Sequence, residues 1–121
     1  MKYLVDSNII IYHLNNECIA TDFLEKNYQN IAISQVTYIE VLSFPFNNKE
    51  LREVKKLLLY FRILDITSAI SEQSIQNRQV KKIKIPDNII ASTAMVHKLT
   101  LVTRNTKDFT KLPVDMFNPF Q

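Results

Sequence analysis

Met1-Lys2-Tyr3-Leu4-Val5-Asp6-Ser7-Asn8-Ile9-Ile10-Ile11-Tyr12 is an apolar run, an acid with two small polar neighbours, and a second apolar run. Tyr3-Leu4-Val5 is short and β-prone, the pattern of a buried strand. Ser7 or Asn8 suits the cap of a helix that takes Ile9, Ile10 and Tyr12 into a core. Strand, acid, helix is an order that sets Asp6 at the carboxyl end of a central strand. Open α/β sheets bind their ligands at that edge. Asp6 reads equally well as part of the turn or cap itself, so residues elsewhere in the chain have to separate the two.

The alternation repeats downstream. Asn15-Asn16-Glu17 is a break, and Ala20 to Tyr28 reads as a short amphipathic helix around Phe23 and Leu24. Ile31-Ala32-Ile33 is a second strand, and Ser34 caps a helix through Glu40 to about Phe44, where Pro45 stops it. Asn47-Asn48 opens a helix from Lys49 to Phe61. Its apolar face is Leu51, Val54, Leu57, Leu58 and Phe61, and Lys49, Arg52, Lys55 and Lys56 mix with Glu50 and Glu53 on a solvated face. Ile63 to Ile66 is a third strand, and Thr67 or Ser68 caps a polar helix out to about Gln79. A basic connection, Lys81 to Ile85, leads to Pro86 at a first helical position and a helix from Asp87 to His97. Its small residues Ala91, Ser92 and Ala94 suit close approach to a sheet. Thr100 to Thr103 is a fourth strand, Arg104 to Phe109 a loop or single helical turn, and Val114 to Phe117 a last short strand before Asn118-Pro119. Strands alternating with helices predict an α/β fold, a parallel sheet covered on both faces with right-handed crossovers.

Composition narrows the chemistry. At 121 residues and 46% hydrophobic content, the chain is expected to fold as one domain over residues 1–121. No apolar run reaches a membrane span, and the opening stretch has no secretory h-region. A cytoplasmic protein without membrane association is the expectation. The single cysteine, Cys18, excludes an internal disulfide, and with His13 and His97 it shows no zinc spacing. Helix packing is the expected role of Cys18 and His97. A net charge of +3 permits a nucleic-acid partner without demonstrating one. Glycine is absent, which excludes GxGxxG, the P-loop and any glycine-rich phosphate cradle.

Asp6 follows strand one, Asn105 and Asp108 follow strand four, Asp87 opens the helix beside it, and Glu40 lies in the helix after strand two. In a parallel sheet all carboxyl ends open on one edge, so these side chains are placed to converge. Clustered carboxylates repel unless a cation offsets them. Oxygen donors without His or Cys select Mg²⁺ or Mn²⁺. Each position also has an ordinary reading. Glu40 continues a polar stripe with Ser34, Thr37 and Ser43; Asp87 complements a helix dipole; Asp108 is a turn residue. Asp65, ending strand three, stays open as a further acid.

Four stretches together resemble the PIN-domain ribonucleases, most closely the VapC-type toxins of prokaryotic toxin–antitoxin pairs. They are Leu4 to Tyr12, Ser34 to Val41, Ile85 to Ala94 and Leu101 to Phe109, in the family's order, and Asn118-Pro119 is similar to the family's ending. The resemblance implies a three-layer α/β/α PIN-like fold and an endoribonuclease dependent on Mg²⁺ or Mn²⁺, in which an activated water attacks the RNA phosphodiester in line. The products it implies are a 5′-phosphate and a 3′-hydroxyl. It implies catalytic roles for Asp6, Glu40, Asp87 and Asp108, with Asp6 and Asp87 as metal ligands. Many relatives carry an acid where this chain has Asn105, and Asp108 is the acid available to compensate. Ser7, Thr103 and Asn105 are implied to orient the carboxylates by hydrogen bonds.

Lys81, Lys82, Lys84, Arg104 and Lys107 are placed to rim the acids and hold RNA phosphates. Tyr12 and Tyr38 fall near the mouth, with core packing as their expected role. The resemblance also implies a cognate antitoxin seated in an apolar groove, and a homodimer. Tyr38, Phe44 and Phe46 suit either interface or the core. The rival readings are a PIN-like module that binds RNA without cutting, and a phosphatase or DNA nuclease using the same acids. A phospho-receiver with Asp65 as acceptor is a further rival, but it wants an acidic pair after strand one, where Ser7 follows Asp6.

Overall fold

β1 (Tyr3–Val5) lies at the centre of a five-stranded parallel sheet in the computed structural model, which describes all of residues 1–121. It is flanked by β2 (Ile31–Ser34) and β4 (Thr100–Val102), and the edges are β3 (Arg62–Leu64) and β5 (Met116–Phe117), in the order β3-β2-β1-β4-β5. Tyr3 pairs with Ile31 on one side and Thr100 on the other, and Val5 pairs with Val102. Parallel neighbours need crossovers. These carry six helices: α1 (Ser7–Leu14), α2 (Cys18–Asn27), α3 (Gln35–Leu42), α4 (Asn48–Leu58), α5 (Ser68–Val80) and α6 (Ile85–His97).

Successive strand residues face opposite sides, and the core divides accordingly. Val5, Ile31, Ile33 and Val102 pack with Ile9, Ile10, Phe23, Leu24, Val41, Val54 and Leu58, from α1 to α4. Leu4, Ala32, Leu64 and Leu101 pack with Ile90, Ala91 and Ala94 of α6 and with Phe109 and Leu112. The result is the expected three-layer α/β/α arrangement. Each buried Leu, Ile or Phe contributes roughly 1.5–3 kcal/mol. A one-residue slip of β1 would exchange Leu4 with Val5 between the layers, so the register that places Asp6 is strongly held.

Several expectations are corrected in detail. α1 is capped by Asp6, not by Ser7 or Asn8. α2 starts at Cys18 and is followed by a 3₁₀ turn at Tyr28–Asn30. α3 ends at Leu42, before Phe44, where the Ser43 hydroxyl donates to the Ile39 carbonyl. α4 ends at Leu58 instead of Phe61; Asn47 and Glu50 close its start as a capping box, and Leu51 is exposed rather than in the core. β3 stops at Leu64, leaving Asp65 exposed beyond it. α6 begins two residues before Asp87, with Pro86 its second residue. Ser92 faces α5 instead of the sheet, its hydroxyl accepting from Ser74 Oγ and Asn77 Nδ2. Cys18 and His97 are exposed and do not pack as helix-core residues. No helix is long and apolar enough to cross a membrane.

Candidate active site

The Asp6 carboxylate caps α1 and also reaches across to the end of β4. Oδ1 accepts from the Ser7 amide at 2.7 Å. Oδ2 accepts from the Thr103 hydroxyl at 2.8 Å and from Asn8 Nδ2 at 3.2 Å. Thr103 stands just past β4, the neighbour of β1, so the pairing of two central strands brings the two residues together. Thr103 Oγ1 also accepts from the Asn105 amide at 3.0 Å, so its one proton is committed to Asp6. Asp6 is 5% exposed. Burial pushes its carboxyl up to about 6, aided by repulsion from Asp87 and Glu40, against the hydrogen bonds from Thr103 and Ser7.

Glu40 is joined to this centre by Ser7, whose hydroxyl donates to Glu40 Oε1 at 2.6 Å and stands 3.1 Å from the Thr37 hydroxyl. The polar stripe of α3 is therefore not simply wet: Ser34 and Thr37 are fully buried and only Ser43 is exposed. Asp87 projects from the first turn of α6 and is half-buried. Burial pushes its carboxyl upward, as do the Asp108 and Glu40 carboxylates, while Lys84 opposes them. Asp108 sits on a 3₁₀ turn, Thr106–Phe109, anchored by the buried ring of Phe109. Asp6, Glu40, Asp87 and Asp108 thus lie in one electrostatic field. Asp65 is exposed beyond β3 and is not among the acids that act on Asp6 or Asp87. Asn105 contributes its amide to Thr103 and leaves its side chain exposed, while the Asp108 carboxylate lies near enough to raise that of Asp87.

The convergence is looser than a closed cage: no three His, Cys, Asp or Glu side chains form a ready group for one ion. The donor set still fits a hard divalent cation. It is all oxygen, it is mutually repulsive, and Mg²⁺ commonly takes one or two carboxylates and keeps several waters.

Around the acids, Lys81, Lys82, Lys84 and Lys107 line, with Asp87, Asp108 and Ile83, a cavity of about 230 Å³. Lys81 is partly engaged within the chain. Its ammonium donates to the Lys107 carbonyl at 3.1 Å and to Thr110 Oγ1 at 3.2 Å, tying the α5–α6 connection to the turn that carries Asp108. Arg104 lies on the other side, its guanidinium over the rings of Tyr12 and Phe120.

Sequence reasoning missed a buried polar group that holds the start of α6. Asn77 Nδ2 donates to Asn88 Oδ1 and Ser92 Oγ, each at 3.0 Å, and Asn88 Nδ2 donates to the Ser74 carbonyl at 2.8 Å. Asn77 and Asn88 are each 2% exposed, and no buried side-chain polar atom in the protein lacks a partner. Satisfied networks of this kind fix one packing; this one seats the residue next to Asp87. Its signal was the three- and four-residue spacing of Ser74, Asn77, Asn88 and Ser92 on two successive helices.

Residues 3–114, from β1 through β4 and beyond, match the PIN domain family. Ribonuclease VapC10 of Mycobacterium tuberculosis (strain CDC 1551 / Oshkosh) is 34% identical over 113 residues, spanning 88% of this chain and 84% of that protein. A toxin–antitoxin complex from Klebsiella pneumoniae contains a chain of the same fold, with 35% identity, TM-score 0.87 and 99% of both chains covered. VapBC2 from Rickettsia felis, bound to a DNA fragment from its promoter, aligns with 25% identity, TM-score 0.83 and 98% of both chains covered. Taken with the acids at the carboxyl edge of the sheet, these matches establish that the chain belongs to the PIN-domain family and to its VapC group.

Proposed function

We propose that this protein is a divalent-metal-dependent endoribonuclease, the toxin of a toxin–antitoxin pair acting in the cytoplasm. The carrying observation is that Glu40 and Asp87, both far from Asp6 in sequence, raise the Asp6 carboxyl, and Glu40 raises that of Asp87, at the sheet edge of a chain homologous to a ribonuclease. Asp6 and Asp87 would hold the cation, Mg²⁺ or Mn²⁺, with Glu40 and Asp108 completing the acidic wall around it. Such a cation, when bound, supplies Lewis acidity and a nucleophilic water. Thr103 and Ser7 keep Asp6 and Glu40 in single orientations, so the geometry is set before RNA arrives. Cleavage of RNA in Mg²⁺ or Mn²⁺, lost in EDTA and absent on DNA and small phosphate esters, is the deciding assay. Equal turnover of DNA or esters rejects the substrate class, and RNA binding with no product rejects the enzyme.

Ser7→Ala removes the only side-chain hydrogen bond to Glu40 while leaving the Asp6 cap, which uses the Ser7 amide. A loss of about 10–100-fold in activity or metal affinity is expected, read by cleavage rate and Mn²⁺ titration. An unchanged rate would place Glu40 outside the reaction.

Lys82, Lys84 and Lys107 supply the cationic rim for phosphates on the Asp87 side. Each lysine replaced by alanine is expected to raise KM and to flatten the plot of log affinity against log salt by about 0.7 for single-stranded RNA. Unaltered slopes would show that the strand passes elsewhere. The partner proposed is a cognate antitoxin, as in the toxin–antitoxin complexes of the structural relatives, with a homodimer as the proposed assembly. Phe44 is the exposed member of the aromatic group around Pro45, while Tyr38 and Phe46 pack partly into the core. Phe44→Ser is expected to weaken one of the two associations, as read by light scattering and antitoxin co-purification.

A further inference from the structure

Arg104 differs from Lys82, Lys84 and Lys107 in being held over two aromatic rings. Its guanidinium carbon lies 4.2 Å from the Phe120 ring centre and 4.9 Å from that of Tyr12, and the two rings meet edge-to-face at 5.2 Å. The main chain is held as well: the Arg104 amide donates to Asn8 Oδ1 at 3.5 Å, and its carbonyl accepts from Asn118 Nδ2 at 3.4 Å. Asn118 Oδ1 in turn accepts from the Phe120 amide at 2.9 Å, so one side chain seats both the arginine and the ring beneath it. No side-chain acceptor of the chain takes a proton from the guanidinium, which sits over the two rings with its N–H donors uncommitted. Much of the rotamer freedom that an arginine gives up on binding is already gone.

The fork borders a cavity of about 500 Å³ lined by Tyr12, Arg104, Asn105, Thr106, Lys107, Asp108 and Gln121, in the size range of small-molecule sites. It shares Lys107 and Asp108 with the lysine-rimmed cavity that holds Asp87. A strand laid across the acids therefore has point charges for phosphates on one side. On the other it meets an oriented planar donor pair beside an amide and a carboxylate. RNA is read mainly where bases are unpaired, and a paired-donor arginine matches the adjacent O6 and N7 acceptors of guanine, an edge no other base presents. Asn105 and Asp108 add acceptors suited to guanine N1–H and N2–H.

We propose that Arg104, fixed on Tyr12 and Phe120, selects a guanine in the unpaired RNA beside the scissile phosphate, which rests on the ribonuclease reading above. The test is to map cut sites in a random single-stranded RNA pool with Mn²⁺, using the wild type, Arg104→Ala, Arg104→Lys and Asp87→Asn. The same proteins are then assayed on one short RNA carrying guanine, 7-deazaguanine or adenine at the enriched position. The wild type is expected to cut at a fixed offset from guanine and to prefer guanine over either analogue by roughly 10- to 100-fold in kcat/KM. Arg104→Ala and Arg104→Lys are expected to erase that preference alike, since lysine restores the charge but not the fork. A purely structural role would lower all three substrates together. Cuts without base enrichment, an enrichment that survives Arg104→Ala, or a flattened salt slope with the preference intact (a phosphate contact) each overturn the proposal. Cleavage that needs Asp87 but ignores the base removes the guanine assignment alone. No cleavage of any RNA removes the ribonuclease reading and this one with it.

Discussion

Asp87→Asn is expected to lower RNA cleavage by about 10³-fold or more while raising the unfolding midpoint of the metal-free protein. The two effects have one cause. The Asp87 carboxylate is half-buried, its charge is disfavoured by burial and by Asp108 and Glu40, and only Lys84 opposes them. No hydrogen bond from the chain holds it, so an amide of the same shape removes the charge and breaks nothing. Function loses the group that would face the cation; the fold loses a repulsion. Asp6 is a poorer probe, because its carboxylate also caps α1 and accepts from the buried Thr103 hydroxyl. Removing a cap costs about 0.5–2 kcal/mol, and a stranded buried hydroxyl roughly 1–3 kcal/mol. Single-turnover cleavage in Mn²⁺ and melting in EDTA measure the two halves separately. Wild-type cleavage by Asp87→Asn would reject Asp87 as a site acid, and a lowered midpoint would show that its charge is compensated in the fold.

The second large effect concerns pH. The metal-free protein is expected to become more stable as pH falls from about 7.5 to about 5, a window in which Asp6 and Asp87 both regain protons more readily folded than unfolded. The Asp6 carboxyl titrates at about 6 in the fold against 3.8 in the ordinary state. Above the folded value Asp6 is charged in both states, and the folded state bears the whole cost of burying that charge. Between the two values the folded state takes up the proton first, so the cost fades as pH drops, and below 3.8 no difference is left. The separation corresponds to roughly 3 kcal/mol, and Asp87 acts in the same direction. Mg²⁺ or Mn²⁺ is expected to reverse the trend, stabilising most at high pH where cation and proton no longer compete. Melting curves across this range, with EDTA and with Mn²⁺, test it directly. A midpoint that falls on mild acidification in EDTA, or one indifferent to Mn²⁺, would contradict a shared acidic pocket.

The periodic parts of the structure were legible early. Leu4 and Val5, Ala32 and Ile33, Leu101 and Val102 alternate between two core layers, and short apolar strands separated by capped helices read directly as a parallel sheet. Errors fell where a local pattern competed with the surroundings. Leu51 has the spacing of a core residue yet lies on the exposed first turn of α4, and Ser92, small enough for the sheet, faces α5, where Ser74 and Asn77 offer it hydrogen bonds. Lys81 keeps its charge, but two of its ammonium protons go to a carbonyl and a hydroxyl of the next loop, contacts that no local spacing announces.

Local order along the chain determined the sheet, the helix starts and the placing of Asp6, Glu40 and Asp87 near one edge, since strand and helix periods are properties of neighbouring residues. Tertiary structure alone decided that Asp6 is shared between a cap and Thr103, that Ser7 reaches Glu40, that Asp108 lies near enough to raise the Asp87 carboxyl, and that Arg104 lies on Tyr12 and Phe120. Those contacts join residues up to 97 positions apart. Burial and mutual repulsion exist only once the strands have brought them together, so no local pattern carries them.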